Sequence, residues 1–213
     1  MPDFNYEKAS HINGLVFGID EAGRGPWCGP VVAACVCFPN FQIDETLANQ
    51  INDSKKLSAT KREKLFPLIM NSGAYIGVGQ ASAEEIDKLN ILQATFLAMH
   101  RALENAAEKG YKADFALIDG NRLPKWNIPC QCLIKGDSLS LSIAAASIIA
   151  KVTRDHIMQK LAKEYPEYGW EKNAGYGTAD HIAALHKYGV TPHHRKTYKP
   201  VAEMLKNITH QQT

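Results

Sequence analysis

The chain has 213 residues, a formal net charge of +2 at pH 7 and 45% hydrophobic residues. This length suits one sizeable domain, alone or with a small appendage. No window reaches the roughly 18 apolar residues of a membrane span, and the polar N-terminal residues do not match a signal peptide. The five cysteines form no CxxC pair, which predicts reduced thiols and a cytoplasmic protein.

Five segments of the chain predict β-strands. They are residues 14–19, 31–38, 74–80, 115–119 and 130–134. The link between the first two strands is too short for a crossover helix, so we expect these strands to pair antiparallel. The first three strands together predict a meander.

A helical pattern follows the third strand. Ser82 and Glu85 fit a capping box, and apolar residues recur at three- and four-residue spacing over positions 89–103. Asn90 offers a second cap within this stretch, and Gly110 predicts its end.

Two further helices are predicted toward the C-terminus. Residues 138–165 are rich in alanine and isoleucine and end before a proline, which predicts a long, centrally buried helix. Residues 178–187 predict a shorter one. We expect a mixed α/β domain over residues 14–165, a C-terminal helical region over 166–213 and a short N-terminal lead over 1–13.

Four acidic residues stand at or near predicted strand ends. Asp20 and Glu21 follow the first strand, Asp119 closes the fourth, and Asp137 lies just past the fifth. Each alone has an ordinary explanation: Asp137 suits a helix N-cap or first turn, and Asp119 suits a turn before glycine. Their coincidence favours a shared site, because ligand sites gather at strand ends of α/β sheets.

Carboxylates without histidine or cysteine companions suit Mg²⁺ or Mn²⁺. Two such ions about 3.5–4 Å apart can support an in-line displacement at phosphorus. Adjacent strand residues point to opposite faces, so Asp20 and Glu21 share a site only if the strand ends or bends there. Gly23 and Gly25 permit such a bend.

Basic residues concentrate in two stretches. Residues 54–64 hold five basic residues against one acid, and residues 181–200 hold four basic residues and four histidines without any acid. Most charge runs are solvated faces. Basic patches that flank an acidic site are instead typical of a nucleic-acid surface.

The longest motifs resemble those of the ribonuclease HII family. They are, in chain order, DEAGRGPWCGPVVAA, NDSKKLS, residues 86–99, LIDGN, KGDSLSLSIAAASIIAKVTRD and GYGTADH. The resemblance implies a ribonuclease H-like fold, with a mixed five-stranded sheet flanked by helices. It also implies a metal-dependent endonuclease that cuts the RNA strand of RNA–DNA hybrids and single ribonucleotides in duplex DNA. Cleavage on the 5′ side would leave a 3′-hydroxyl and a 5′-phosphate.

The same resemblance assigns site residues. The four family acids correspond to Asp20, Glu21, Asp119 and Asp137, which would hold Mg²⁺ or Mn²⁺. The Gly-Arg-Gly loop would contact the ribose 2′-hydroxyl, and Tyr176 would stack on the sugar that follows the ribonucleotide. The expected substrate-binding residues are Gly23, Arg24, Gly25, Lys55, Lys56, Ser147, Lys151, Tyr176, Arg195 and Lys196.

Some features depart from the family or leave alternatives open. Trp27 and Cys28 stand where smaller or aliphatic residues are expected. About a dozen residues precede the first strand, which argues against the related type HIII enzymes with their long N-terminal extension. The tail at 208–213 has no convincing clamp-binding box, so we expect a monomer without an obligate protein partner. A non-catalytic nucleic-acid-binding module is the alternative, but it would need no set of four acids.

Overall fold

The computed structural model describes residues 1–10 and 12–210, the last four by backbone alone. Its centre is a five-stranded sheet in the order β3-β2-β1-β4-β5. The strands are β1 (Val16–Ala22), β2 (Val31–Cys37), β3 (Tyr75–Ala81), β4 (Phe115–Asp119) and β5 (Cys130–Leu133). The first three form an antiparallel meander, and β4 and β5 run parallel to β1. This confirms the five predicted strands and the mixed sheet.

Helices cover both faces of this sheet. They are α1 (Asn5–Ala9), α2 (Glu45–Ala48), α3 (Ala59–Met70), α4 (Ala83–Leu89), α5 (Ile91–Glu108), α6 (Leu141–Glu164), α7 (Trp170–Asn173), α8 (Ala179–Tyr188) and α9 (Lys199–His210). One core cluster joins α5 to the face that carries Phe17 and Ile19, and a second joins α6 to the face that carries Ala34 and Val36. The sheet is therefore the middle of three layers.

Glycines in the strands allow the two main helices to approach closely. A Cβ on Gly18 would overlap the first turn of α6, and one on Gly77 or Gly79 would overlap the backbone of α5. The two glycines of β3 thus have a packing reason. At β1 the same effect brings the N-terminal end of α6 to the strand that carries Asp20.

Asn90 divides the predicted helix after β3 in two. Its backbone has a positive φ of 69°, and its side-chain oxygen accepts hydrogen bonds from the N–H groups of Leu92 and Gln93. The capping box of Ser82 and Glu85 begins α4 as predicted. The second cap at Asn90 is also confirmed.

The N-terminus of α6 differs from its prediction. Ser140, not Asp137, is the N-cap, and its hydroxyl accepts from Ile143 N–H. Glu7 of α1 is buried there and accepts hydrogen bonds from the Ser140 hydroxyl and the Ser142 N–H. A carboxylate at a helix N-terminus is electrostatically favourable. The segment expected to be only a lead therefore packs against the sheet domain and leaves Asp137 free for another role.

Residues after Pro166 pack on the end of α6 and on the loop between β1 and β2. Their shared core includes Cys28, Met158, Tyr168, Trp170 and Leu185. Within residues 1–10 and 12–210, no helix has the length and apolar character needed to cross a membrane. The tail at 208–213, where the sequence shows no convincing clamp-binding box, lies partly outside the described residues, and no side chain of it is described.

Candidate active site

Three aspartates from different segments converge at one end of the sheet. Carboxylate oxygens of Asp20, Asp119 and Asp137 all lie within 4.8 Å of one another. Asp20 and Asp137 are each 4% exposed. The grouping predicted from the sequence is therefore present for these three acids, and we call them the aspartate triad.

Strand register explains the convergence of the triad. The parallel pairing of Ile19 with Ile118 places the next residues, Asp20 and Asp119, side by side. Asp137 comes from the tight turn after β5, and the N–H of Gly136 in that turn donates to the Asp119 carboxylate at 2.7 Å. Two neighbouring strands and one turn thus hold three acids that are far apart in sequence.

The sequence predicted that β1 ends before Asp20. In the structure, β1 continues through Asp20 and Glu21. The two residues pair with Ala34 and Ala33 of β2 respectively, so their side chains leave opposite faces of the sheet. Asp20 lies on the α6 face with the triad. Glu21 lies outside the triad and forms an ion pair with Arg24 at 3.3 Å.

Burial and mutual repulsion disfavour the ionised forms of Asp20 and Asp137. Burial, followed by the nearby charges of Glu21 and Asp119, raises the pKa of Asp20 well above its ordinary value. Burial, followed by the charges of Asp119 and Asp53, raises the pKa of Asp137 to about 6. A cation placed among these oxygens would remove both penalties.

Asp53 and Lys55 complete the charge pattern around the triad. Sequence reasoning missed Asp53, although it stands in the NDSKKLS motif; its carboxylate accepts a hydrogen bond from Lys55 N–H at 2.9 Å. Partial burial opposes the charged form of Lys55, but the surrounding carboxylates, Asp20 first, outweigh this and raise its pKa. Lys55 is thus a fixed positive charge beside the acids.

Two grooves meet at Lys55. One, of about 410 Å³, contains Asp119, Asp137, Lys55 and Lys56. The other, of about 390 Å³, is lined by Glu21 and by six of the ten predicted substrate-binding residues: Gly23, Arg24, Gly25, Lys55, Lys151 and Tyr176. Tyr176 is 51% exposed, and one of its ring carbons lies 3.4 Å from where a Cβ of Gly25 would stand. The Gly-Arg-Gly loop and Tyr176 are therefore adjacent.

Two buried arginines hold the loop that carries Gly-Arg-Gly. The Arg195 guanidinium donates to the carbonyls of Gly23, Arg24 and Gly29. The Arg154 guanidinium donates to those of Cys28, Pro30 and Ala174, at 3.1 Å each. Burial, followed by the charge of Arg195, lowers the pKa of Arg154 to about 10. We call Arg154 and Arg195 the arginine pair; Arg154 was not predicted.

Two of the predicted substrate contacts are buried, and a third is exposed. Arg195 is fully buried, so its prediction as a contact to the duplex backbone is wrong for this conformation. Ser147 is also buried; its hydroxyl donates to Ala144 O and accepts from Ser54 N–H, which makes it a packing residue. Lys196 is exposed, and it is its backbone N–H that donates to the Asp87 carboxylate of α4.

Trp27, one of the residues that depart from the family pattern, joins the Gly-Arg-Gly loop to the GYGT segment. The backbone N–H of Trp27 donates to the carbonyl of Gly175 at 2.8 Å, and the Trp27 carbonyl accepts from the backbone N–H of Arg195 at 2.8 Å. A Cβ on Gly177 would overlap the Trp27 indole. The indole therefore packs against the GYGT segment, and glycine is required where it does so.

Known proteins resemble this chain over most of its length. The sequence model described as Ribonuclease HII matches residues 17–201. The ribonuclease HII of Rhodospirillum rubrum is 54% identical over 206 residues, 96% of this chain and 92% of that protein. The ribonuclease HII of Paramagnetospirillum magneticum is 52% identical over 205 residues, 96% and 99% of the two chains.

Solved structures resemble the fold. Ribonuclease H2 from Pyrococcus horikoshii OT3 has a TM-score of 0.74 at 27% identity and covers 92% of this chain and 99% of its own. Bst-RNase HIII in complex with Mn²⁺ has a TM-score of 0.71 at 19% identity, over 95% and 73% of the two chains, a likeness of fold. The ribonuclease H-like fold expected from the sequence is thereby confirmed.

Proposed function

The chain belongs to the ribonuclease HII family and is an endoribonuclease that acts on RNA–DNA hybrids, and from this premise we propose the finer features of its reaction. It also cuts at single ribonucleotides embedded in duplex DNA. It cleaves on their 5′ side and leaves a 3′-hydroxyl and a 5′-phosphate. The single observation that carries this proposal is the aspartate triad directly beside the Gly-Arg-Gly groove.

The donor set fits divalent cations. Three carboxylate oxygens within 4.8 Å offer hard ligands at a spacing suited to a shared ion. The raised pKa values of Asp20 and Asp137 mean that a nearby positive charge would stabilise their ionised forms. We assign Asp20, Asp119 and Asp137 as holders of two ions, Mg²⁺ or Mn²⁺. We add Glu21, which stands one residue before the end of β1 and close enough for its charge to raise the pKa of Asp20. Bound there, the ions supply the positive charge that activates a water and stabilises the departing oxygen.

The protein itself orients the reacting groups. Backbone N–H groups of Glu21 and Gly136 donate to the carboxylates of Asp20 and Asp119, both at 2.7 Å, and fix their directions. Lys55 adds positive charge where a phosphodiester would approach. The reaction uses water as the nucleophile, so no nucleophilic side chain is needed in the triad.

The substrate lies, in our proposal, along the two grooves. The backbone of Gly23, Arg24 and Gly25 approaches the ribose 2′-hydroxyl, the group that distinguishes RNA from DNA. Tyr176 packs against the next sugar. Lys56 and Lys151 face the phosphates, Lys196 meets the backbone farther out, and the helical region 166–213 forms this side of the surface.

The remaining proposals concern context. We propose a monomeric, cytoplasmic enzyme without an obligate protein partner. One structural relative, the ribonuclease HII of Archaeoglobus fulgidus, was solved in a complex with PCNA; it is 24% identical and has a TM-score of 0.66. The alternative function, a non-catalytic nucleic-acid-binding module, is disfavoured because the aspartate triad repels a phosphate backbone unless cations bind there.

Cleavage of a labelled DNA duplex with one ribonucleotide tests the proposal. We expect one cut on its 5′ side with Mg²⁺ or Mn²⁺, and none with chelator or with Asp137→Asn. Asp180→Asn, an exposed aspartate on α8, is the matched control and should cut normally. Duplex binding without cleavage under either metal would instead support the non-catalytic module.

A further inference from the structure

Two buried histidines lie behind Tyr176 and take no part in the proposed chemistry. His181 of α8 is 0% exposed, and His194 of the following loop is 1% exposed. Their Nε2 atoms are 3.0 Å apart. Two imidazoles can share such a contact only if one donates and the other accepts, so their surroundings must decide where each proton lies.

The tautomer of His194 follows from Thr191. The backbone N–H of Thr191 donates to Nδ1 of His194 at 3.0 Å. Because an N–H can only donate, Nδ1 of His194 carries no proton. In the neutral ring the proton is then on Nε2, which points at His181.

The tautomer of His181 follows in turn. Its Nε2 accepts from the Nε2–H of His194 and from the indole N–H of Trp170, the latter at 3.2 Å. Its proton is therefore on Nδ1, which lies 2.9 Å from the backbone carbonyl of Tyr176. The chain of donors, from Thr191 through both imidazoles, ends on the peptide of the residue whose ring faces the substrate groove.

Both rings stay neutral in this arrangement. Burial lowers the pKa of His181. Burial, followed by the neighbouring His181 and His193, lowers the pKa of His194 to about 3. A charged His181 would carry a second N–H aimed at two other donors, which the geometry does not accommodate.

We propose that His181 is a positioning residue for Tyr176, held in its Nδ1–H form by Trp170 and His194 so that it fixes the Tyr176 peptide beside the Gly-Arg-Gly loop. The inference rests on the proposed role of Tyr176 in binding the sugar next to the ribonucleotide. With its peptide fixed, the exposed Tyr176 ring meets the substrate with less freedom to lose on binding.

Long-range ¹H–¹⁵N NMR of the wild-type protein tests the proton positions on both imidazoles and does not depend on a cleavage assay. We expect His181 to be protonated on Nδ1 and His194 on Nε2 at pH 7. A proton on Nε2 of His181 overturns the proposal, whatever the enzyme cleaves.

Kinetics on the single-ribonucleotide duplex tests the positioning role. Gln at position 181 places its amide near the lost Nε2, and Asn places its amide near the lost Nδ1. His181→Asn can therefore keep the donor to Tyr176, whereas His181→Gln cannot. We expect His181→Gln to lower kcat/KM about tenfold and His181→Asn to restore at least half of that loss on a logarithmic scale. His186→Asn, an exposed histidine on the same helix, is the control and should match wild type.

A double-mutant cycle separates positioning from general damage. If His181 acts through Tyr176, His181→Gln should change kcat/KM less than twofold in a Tyr176→Ala background. An undiminished tenfold loss there overturns the proposal. A wild-type protein that fails to cut the single-ribonucleotide duplex overturns the proposed function, and with it this use of Tyr176, while the NMR result still reports on the histidines. If His181→Gln does not fold, the wild-type NMR measurement decides alone.

Discussion

The aspartate triad and the arginine pair differ in how far hydrogen bonds within the fold compensate their buried charges. Each arginine donates to three backbone carbonyls, so its charge is dispersed over groups that need donors. The aspartates receive few hydrogen bonds and repel one another. The difference separates scaffold from site: the scaffold satisfies its charges within the fold, whereas the site leaves them for a ligand.

The largest expected effect on activity comes from a substitution in the triad. Asp119→Asn removes a ligand and should lower kcat by about 10²-fold or more, which corresponds to about 3 kcal/mol of lost transition-state stabilisation. The same change relieves repulsion, so the metal-free variant should be more stable than wild type by on the order of 1 kcal/mol. Cleavage assays and denaturant unfolding with chelator measure both. A metal-free variant less stable than wild type would contradict the account.

A substitution in the arginine pair should instead lower the stability of the protein. Arg195→Met leaves three carbonyls without donors and should cost about 3–5 kcal/mol of unfolding free energy, with a loss of activity that follows the displaced loop. Urea unfolding measures this. Arg101→Met, which removes a half-exposed ion pair with Glu85, is the matched control and should cost at most about 1 kcal/mol. Equal losses for the two variants would refute the scaffold role.

Acidic pH should affect the triad in two opposed ways. At limiting metal, protonation of Asp137 should lower activity about tenfold for each pH unit below 6. In the metal-free protein the raised pKa of Asp137 means that its stabilising contribution is present below about pH 4 and is lost as the pH rises through about 6. The difference in metal-free stability between wild type and Asp137→Asn should thus fall from pH 5 to 7, whereas the buried histidines, present in both proteins, act in the opposite direction. A flat activity profile over this range at limiting metal would count against carboxylate-held ions.

The smallest expected effects are those of a substitution at Lys55. Lys55→Met removes the positive charge beside the triad, so we expect Mn²⁺ to bind a few-fold more tightly while kcat/KM for the duplex falls about three- to tenfold. Lys61→Met, an exposed lysine on α3, should leave both unchanged. Weaker Mn²⁺ binding by Lys55→Met would show that the lysine supports the acids instead of competing with cations.

Local sequence patterns predicted the five strands and a shared site for four acids, three of which meet. Apolar runs mark the five strands, and the position of Asp20 and Asp119 at neighbouring strand ends follows from parallel pairing. They did not predict that β1 extends through Glu21, because that extension depends on pairing with β2. The burial of Arg195 escaped prediction for a similar reason, since its carbonyl partners lie about 170 residues away in the chain. Contacts of this kind arise only from the tertiary structure.

Mn²⁺ titration calorimetry of the wild type, Asp119→Asn and Asp180→Asn proteins near pH 6 tests the central claim most directly. In two buffers of different ionisation enthalpy, the account predicts that wild type and Asp180→Asn bind Mn²⁺ with release of protons, because carboxylates with raised pKa must ionise to become ligands. Asp119→Asn should bind far more weakly. Equal affinity in all three proteins, without proton release, would mean that the aspartate triad does not hold the metal.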